Sequence, residues 1–209
     1  MKTWNGPLSS PRLKKLNQLI NSNLIMNFTE TRLKGAYIID ISPMQDDRGF
    51  FSRSYCSDEF KAFNLNTNAV QTNISYNIKK GTLRGLHMQK APFEETKLVR
   101  CTRGAIYDVI VDMRENSETY KQWIGVDLTA DNYRMLYVPE GFAHGFITLE
   151  DHTDVTYQVT QFYTPGFEQC FRWDDSAFDI HWPIEPQVIS AKDQSHALMS
   201  EGINEPKNG

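Results

Sequence analysis

The chain has 209 residues, of which 40% are hydrophobic, so it is long enough and apolar enough to form a soluble globular protein with a sizeable core. Its formal net charge of −4 gives no bulk attraction to nucleic acid or to an anionic membrane, and neither is expected as a partner. The sequence has no apolar run of transmembrane length and no apolar segment of the secretory type near its N-terminus.

Three cysteines, Cys56, Cys101 and Cys170, lack the spacing of metal ligands. Cys101 and Cys170 lie in apolar stretches typical of strands, so we expect both to be buried free thiols. Free thiols indicate a reducing compartment, and we therefore expect the protein in the cytoplasm.

The first 25 residues differ in character from the rest of the chain. Glycine, proline and serine residues precede a short helix-like segment at 13–20. We expect residues 1–25 to form an N-terminal extension, disordered or docked on the surface, with Met26 as an alternative start. Residues 26–209 are expected to form a single domain.

From Ala36 onward the pattern predicts short strands separated by turns. The first strands, at 36–42 and 50–55, are separated by a turn at 45–49 and followed by a short helix at 58–63. A C-terminal helix or arm is expected after Pro183. The remaining strands are predicted at 67–76, 82–89, 95–102, 104–112, 121–129, 134–138, 145–149, 154–163 and 169–173. This regular spacing predicts an all-β sandwich or jelly roll with short helices at its termini.

The most informative stretch is Gly81–His87, read together with Lys97 and the segment 139–146. It places two histidines, a lysine and an arginine on strands of one small barrel. This is the layout of a double-stranded β-helix, or cupin jelly roll, in which inward side chains meet in a pocket. Metal-binding cupins carry a His-x-His pair, and here its second position is Gln89. The motif favours metal-free acid–base chemistry by His87, although an isolated strand histidine is more often a hydrogen-bonded core residue.

Residues 33–195 resemble the dTDP-4-dehydrorhamnose 3,5-epimerases, which are cupin-fold enzymes. The resemblance is carried by eight segments in the family's order and spacing: Asp47–Phe51, Gly81–His87, Lys97–Arg100, Gly104–Asp112, Pro139–Phe146, Tyr163–Pro165, Arg172–Asp175 and Ser190–Asp193. It implies epimerisation of a nucleotide-linked 4-keto-6-deoxyhexose, whose C4 ketone acidifies the protons at C3 and C5. A base removes a proton to give an enolate, and an acid returns a proton to the opposite face. No metal or redox cofactor is implied.

The resemblance also implies the catalytic residues. His87 is the base, because a histidine titrates near neutral pH with little tuning. Asp193 is its partner and fixes the tautomer of the ring. Lys97 stabilises the developing enolate oxygen, and Tyr157 is the acid on the opposite face.

The substrate-binding residues implied by the resemblance are more widely spread. Two arginines suit a diphosphate because guanidinium groups match phosphate oxygens, and Phe51 is expected to stack on the base or ribose. His144 is expected in the pocket wall, hydrogen-bonded to the sugar. In the family, the segment carrying Phe51 pairs with a neighbouring subunit, which implies a homodimer with exchanged N-terminal strands. The full predicted set is Arg48, Phe51, Gln71, Asn73, Arg84, His144, Tyr163 and Glu168.

The chain departs from the family pattern near the expected nucleotide site. Arg53 stands where the family commonly has a glutamate, and the segment Gln71–Ile74 keeps the glutamine and asparagine of the family's Gln-Asp-Asn-His motif but not the acid or the histidine. The nucleotide is therefore left open among dTDP, CDP and GDP.

Three alternatives remain at this level. One is an epimerase of a single centre, C3 or C5, or a ketoisomerase of the same fold. Another is a cupin that binds a sugar nucleotide without catalysis. The last is a metal-dependent cupin, which Gln89 disfavours.

Overall fold

The computed structural model describes residues 26–66 and 68–199. The predicted extension at 1–25 lies outside the described residues. The described chain divides into two compact units, a smaller one of residues 26–27 and 41–66 and a larger one of residues 28–40 and 68–199. The single domain expected over 26–209 stays a prediction.

The described residues form short strands and two short helices. In chain order, the strands are β1 (Asn27–Glu30), β2 (Tyr37–Asp40), β3 (Met44–Asp46), β4 (Gly49–Phe51), β5 (Gln71–Asn77), β6 (Thr82–Gln89), β7 (Lys97–Arg103), β8 (Ala105–Asp112), β9 (Trp123–Thr129), β10 (Met135–Val138), β11 (Phe142–Thr148), β12 (Thr153–Val159), β13 (Glu168–Cys170) and β14 (Val188–Ile189). The helices are α1 (Ser57–Ala62) and α2 (Ala191–Gln194). None of the described helices is long and apolar enough to cross a membrane.

The larger unit contains two sheets. The first has the order β1-β2-β10-β7-β12-β5, and the second has the order β13-β6-β11-β8-β9 with β14 beside β6. Pairing is antiparallel from β2 to β5 in the first sheet and from β13 to β9 in the second. The predicted all-β jelly roll is confirmed.

The core of the larger unit lies between the two sheets. Residues of the first sheet, such as Val99 and Leu136, share one buried cluster with residues of the second, such as Ile106 and Ile110. On β8, the alternate residues Val109 and Val111 belong to a second cluster, on the other face of the same sheet. Phe171, Phe178 and partly buried Trp182 of the C-terminal segment pack there. Strand β8 is therefore apolar on both faces, as expected for a strand covered on both sides.

The smaller unit contains the β3–β4 hairpin and helix α1. The hairpin pairs Met44 with Phe51, and all of its strand residues are exposed. Phe60 on α1 is buried and its ring lies 5.2 Å from that of Tyr55. The strand predicted at 50–55 is shorter in the structure, where β4 ends at Phe51.

Several predicted strands have different bounds in the structure, among them β5, which begins at Gln71 rather than at 67, and β13, which ends at Cys170 rather than at 173. Strand β11 begins at Phe142 rather than at 145, so it includes His144. Strand β12 ends at Val159 rather than at 163. The reason is that the side chain of Gln89 binds the Phe162 carbonyl and the Thr164 amide, which takes these backbone groups out of sheet pairing.

The three cysteines are free thiols. Cys101 is buried, and this burial raises the pKa of its thiol to about 11. Cys170 is half-buried, so the prediction of a buried thiol is right for Cys101 and wrong for Cys170. Cys170 lies on β13, an edge strand, and edge positions are covered on fewer sides.

Candidate active site

A two-lobed pocket opens between the sheets of the larger unit. One lobe, of about 460 Å³, is lined by residues 188–190 and by residues of α2, and is called the α2 lobe. The other, of about 340 Å³, reaches Glu168 on β13 and is called the β13 lobe. Both lobes are lined by His87, Lys97 and Tyr157. The structure thus brings three of the four predicted catalytic residues to one place, and the fourth, Asp193, lines the α2 lobe.

His87 and Asp193 form a pair although they are 106 positions apart in the chain. His87 Nε2 lies 2.7 Å from Asp193 Oδ1, and the carboxylate is buried. Asp193 is held in place because its backbone N–H donates to Oγ of Ser190, the N-cap of α2. The Ser-Ala-Lys-Asp segment is thus a helix cap that presents the carboxylate to the histidine.

The surroundings of His87 favour the neutral form of its ring, which can act as a base. The ring opens into the pocket with 43% of its side chain exposed, yet the surrounding strands remove enough water to lower its pKa. The hydrogen bond and charge of Asp193 raise the pKa, and the Lys97 ammonium lowers it further, with burial as the largest effect. His87 is therefore neutral at physiological pH, as a general base must be.

Two glycines allow β6 and β11 to approach closely beside His87. A Cβ atom on Gly85 would lie 2.5 Å from the Cα of Gly145, which a larger residue cannot do without moving a backbone. Gly85 also has φ of 119°, a conformation that favours glycine. The register of β11 shifts at this point, and His144 is paired directly with His87.

His144 forms a second buried pair, with Asp108. Its Nε2 lies 2.8 Å from Asp108 Oδ1, and Asp108 is completely buried on β8. His144 lines the α2 lobe, as predicted for a residue of the pocket wall. Asp108 was not among the predicted site residues. Its signal in the sequence is an acid within an otherwise apolar strand, because a buried carboxylate requires a partner.

Lys97 is buried and paired. Its Nζ lies 2.5 Å from Glu95 Oε1, and the two side chains are only 10% and 12% exposed. Glu95 Oε2 accepts a hydrogen bond from Gln89 Nε2 at 2.5 Å. Glu95 is a second site residue that was not predicted, because a single glutamate at the start of a predicted strand carries no signal of its own.

Tyr157 lies on β12 and faces both lobes. Burial is the largest effect and raises the pKa of its hydroxyl, the charge of Arg84 lowers it, and the charge of Glu95 raises it by less than that. The phenol is therefore protonated at neutral pH and can serve as a proton donor.

The predicted binding residues of the larger unit all line one of the two lobes. Arg84 lies in the α2 lobe, and its Nε donates to Asn77 Oδ1 at 2.7 Å. Gln71, Asn73, Tyr163 and Glu168 lie in the β13 lobe. The Glu168 carboxylate is already bound, since it accepts hydrogen bonds from Lys192 and Tyr163.

Arg48 and Phe51 belong to the smaller unit. Arg48 is paired with Asp46 at 2.5 Å, and Phe51 is 65% exposed. Arg53, which stands in place of the family's glutamate, is paired with Glu59 of α1 at 2.6 Å. The binding roles of Arg48 and Phe51 stay predictions.

Gln89, at the second position of the His-x-His pair, is already engaged in hydrogen bonds and not available to a metal ion. Its amide nitrogen donates to Glu95 and to two backbone carbonyls. Within residues 26–66 and 68–199, no group of three or more His, Cys, Asp or Glu side chains is arranged to hold a metal ion.

Together these features define a class of protein. The jelly roll carries in its pocket a neutral histidine paired with an aspartate, a buried lysine and a protonated tyrosine. These groups can move protons on a carbon next to a carbonyl, which is the chemistry of an isomerase.

Comparisons with known proteins identify the family. The family model for dTDP-4-dehydrorhamnose 3,5-epimerase matches residues 30–201. The dTDP-4-dehydrorhamnose 3,5-epimerase of Salmonella typhimurium is 40% identical over 181 residues, which cover 86% of this chain and 98% of that protein. The chain therefore belongs to the dTDP-4-dehydrorhamnose 3,5-epimerase family, and it is an isomerase of nucleotide-sugar metabolism.

Two solved structures are similar in fold. The dTDP-4-dehydrorhamnose 3,5-epimerase of Bacillus anthracis, with TDP and PPi bound, has a TM-score of 0.80 and 43% identity, covering 84% of this chain and 100% of its own. The 3,5-epimerase of Legionella pneumophila, in complex with dTDP-4-keto-L-rhamnose, has a TM-score of 0.78 and 36% identity, covering 84% of this chain and 94% of its own.

Proposed function

We propose that this protein inverts C3 and C5 of a dTDP-linked 4-keto-6-deoxyhexose, converting dTDP-4-dehydro-6-deoxy-D-glucose to dTDP-4-dehydro-L-rhamnose. The observation that carries the proposal is the shared pocket of the His87–Asp193 pair, Lys97 and Tyr157. These groups supply a base, an electrostatic stabiliser and an acid, which is what proton transfer next to a ketone requires.

The mechanism follows from the orientation of His87. The neutral ring donates its Nε2–H to Asp193, which leaves the Nδ1 lone pair to accept the proton from C3 or C5. The electrons move to the C4 oxygen, where the Lys97 ammonium stabilises the enolate. Tyr157 then returns a proton to the opposite face of the carbon, and the phenolate and imidazolium re-equilibrate with water. No cofactor takes part in this sequence.

The nucleotide is assigned from the ligands of the relatives. One similar structure holds TDP and another holds dTDP-4-keto-L-rhamnose. In this chain Arg84 offers a guanidinium to the diphosphate at the α2 lobe. Gln71 and Asn73 offer amide groups to the substrate in the β13 lobe.

A homodimer with exchanged N-terminal strands is part of the proposal. Strand β5 lies at one edge of the first sheet, and no described strand pairs with its outer edge. Its exposed face carries Ile74 and Tyr76, which are 74% and 46% exposed. Apolar surface of this kind marks protein–protein contacts. A cytoplasmic location is also proposed, and the free thiols support it.

The test is proton NMR of dTDP-4-keto-6-deoxy-D-glucose with the protein in D₂O. Deuterium is expected at both C3 and C5, because each carbon loses and regains a proton. His87→Ala is expected to reduce the rate by about 10²–10⁴-fold, the usual cost of losing a general base. Tyr157→Phe is expected to slow epimerisation more than deuterium exchange, because removal and return of the proton use different groups.

Other outcomes would change the assignment. Exchange at one carbon would make the protein a single-centre epimerase. Absence of exchange with dTDP, CDP and GDP sugars, despite binding, would make it a non-catalytic binding protein. A rate lost to chelators and restored by metal would indicate a metal-dependent cupin.

A further inference from the structure

A chain of three polar side chains, of which Gln89 and Lys97 are buried and Glu95 is partly buried, ends at the Lys97 ammonium. Gln89 is 4% exposed, and its side chain is pinned by the Phe93 carbonyl, the Phe162 carbonyl and the Thr164 amide. From this fixed position its Nε2 donates to Glu95 Oε2 at 2.5 Å. The other oxygen of Glu95 lies 2.5 Å from Lys97 Nζ.

This arrangement restricts the position of a buried lysine. A lysine side chain has four rotatable bonds, and the fixed carboxylate limits where its Nζ lies. Both oxygens of Glu95 are bound, so the carboxylate itself has little freedom.

We propose that Glu95 is a positioning residue that holds the Lys97 ammonium directed at the substrate carbonyl, with Gln89 as its support. The inference rests on the proposed epimerisation, in which Lys97 stabilises the enolate oxygen. The role proposed for Glu95 is made through its contact with Lys97.

Gln89 occupies the position that carries a histidine ligand in a metal-binding cupin. Here its amide holds the Glu95 carboxylate, which in turn holds the Lys97 ammonium. The cation in this pocket is therefore a side chain held by the protein.

The experiment is a double-mutant cycle on Glu95 and Lys97, with the solvent deuterium exchange rate as the readout. Glu95→Gln keeps the shape of the side chain but removes its charge. It is expected to lower kcat by about 10-fold, less than the loss of the stabilising donor itself, with a smaller change in KM. In the Lys97→Met background the same substitution is expected to cause no further loss, because there is no ammonium left to hold.

Controls separate this role from a structural one. Glu95→Asp keeps the charge and is expected to retain more activity than Glu95→Gln. The matched control is Glu94→Gln, which removes the carboxylate next in the chain. The charge of Glu94 raises the pKa of Glu140. The control is expected to leave kcat unchanged. Thermal melting of each variant shows that the fold is intact.

Two results would overturn the proposal. Equal factors for Glu95→Gln in the wild-type and Lys97→Met backgrounds would show that Glu95 acts independently of Lys97. Equal losses for Glu95→Gln and Glu95→Asp would show that charge is not what matters. If the wild-type protein itself exchanges no deuterium, it is the proposed epimerisation that fails.

Discussion

At the level of residues, opposing effects of burial and of neighbouring charges set the pKa of His87. Burial lowers its pKa, the Asp193 carboxylate raises it, and the charges of Lys97 and Lys192 lower it. A protonated His87 cannot accept a proton from carbon, so the rate falls as the pH drops through this pKa. Since the pKa lies below its usual value of 6.5, the acid limb of the pH–rate profile is expected below pH 6.5.

Asp193→Asn tests the influence of the carboxylate on this limb. Removing the negative charge takes away the group that raises the pKa of His87, so the acid limb of kcat/KM is expected to move to lower pH. The plateau is expected to fall by about 10²–10⁴-fold, because the amide does not stabilise the imidazolium or hold the required tautomer. The measurement is kcat/KM from pH 4 to pH 9, a range of about five units around the pKa of histidine.

The matched control for that experiment is Asp179→Asn. Asp179 is also paired with a histidine, His181, but both side chains are well exposed and neither lines the pocket. The Asp179→Asn substitution is expected to leave the pH–rate profile unchanged. An acid limb of Asp193→Asn at the wild-type position would contradict the pairing of Asp193 with the catalytic base.

At the level of elements, helix α2 acts as the carrier of Asp193. It has four residues and is held at two points, by the Ser190 cap and by the ion pair of Lys192 with Glu168 on β13. A helix this short has little stability of its own, so these contacts decide where the carboxylate lies. The predicted substrate residue Glu168 thus has a structural contact, and its role in binding stays a prediction.

Ser190→Ala removes the cap of α2. The loss of an N-cap costs about 1 kcal/mol, which corresponds to about a 5-fold shift in a local equilibrium. We expect kcat to fall by about this factor, because Asp193 spends less time against His87. The measurement is steady-state kcat at neutral pH, where the wild-type base is neutral.

Ser195→Ala is the control at the other end of the same helix, where the hydroxyl donates to the Lys192 carbonyl. It is expected to have a smaller effect than Ser190→Ala. Equal effects of the two substitutions would mean that the cap does not place Asp193.

At the scale of the whole molecule, the exposed edge of the first sheet supports the proposed homodimer. Strand β5 is long for an edge strand, and exposed edges of this kind are normally covered or blunted. Ile74 is 74% exposed on it, and Ile78 just beyond it is 58% exposed. Covering these residues with a second copy of the chain would remove them from water, which is the main driving force of such contacts.

Ile74→Glu is expected to convert a dimer into a monomer. A charge at the centre of a buried apolar contact has no partner, and its burial is costly. Sedimentation equilibrium measures the change. Asp127→Lys, on the edge strand β9 of the second sheet, is a control that is expected to remain dimeric. A monomeric wild type, or a dimeric Ile74→Glu variant, would contradict the predicted use of this face.

The strands and the central motif were predictable because their signals are local. Alternation of apolar residues, with glycine turns between them, predicted most strands to within a few residues. Boundaries failed where a distant side chain intervened, as at the end of β12, where Gln89 binds the backbone of the following segment. The location of His87 and Lys97 in one pocket follows from the jelly-roll layout that the motif indicated, and the place of Tyr157 was implied by the family resemblance.

The partners of the polar groups could not be derived in the same way. Asp108 with His144 and Lys192 with Glu168 join residues far apart in the chain, whose side chains meet through strand register or loop path. A one-residue change of register would turn each strand side chain to the other face of its sheet. Local pattern thus determined the class of fold and the chemistry available to this protein. The three-dimensional packing determined which charge lies beside which, because that depends on distances between parts of the chain that the order of residues does not set.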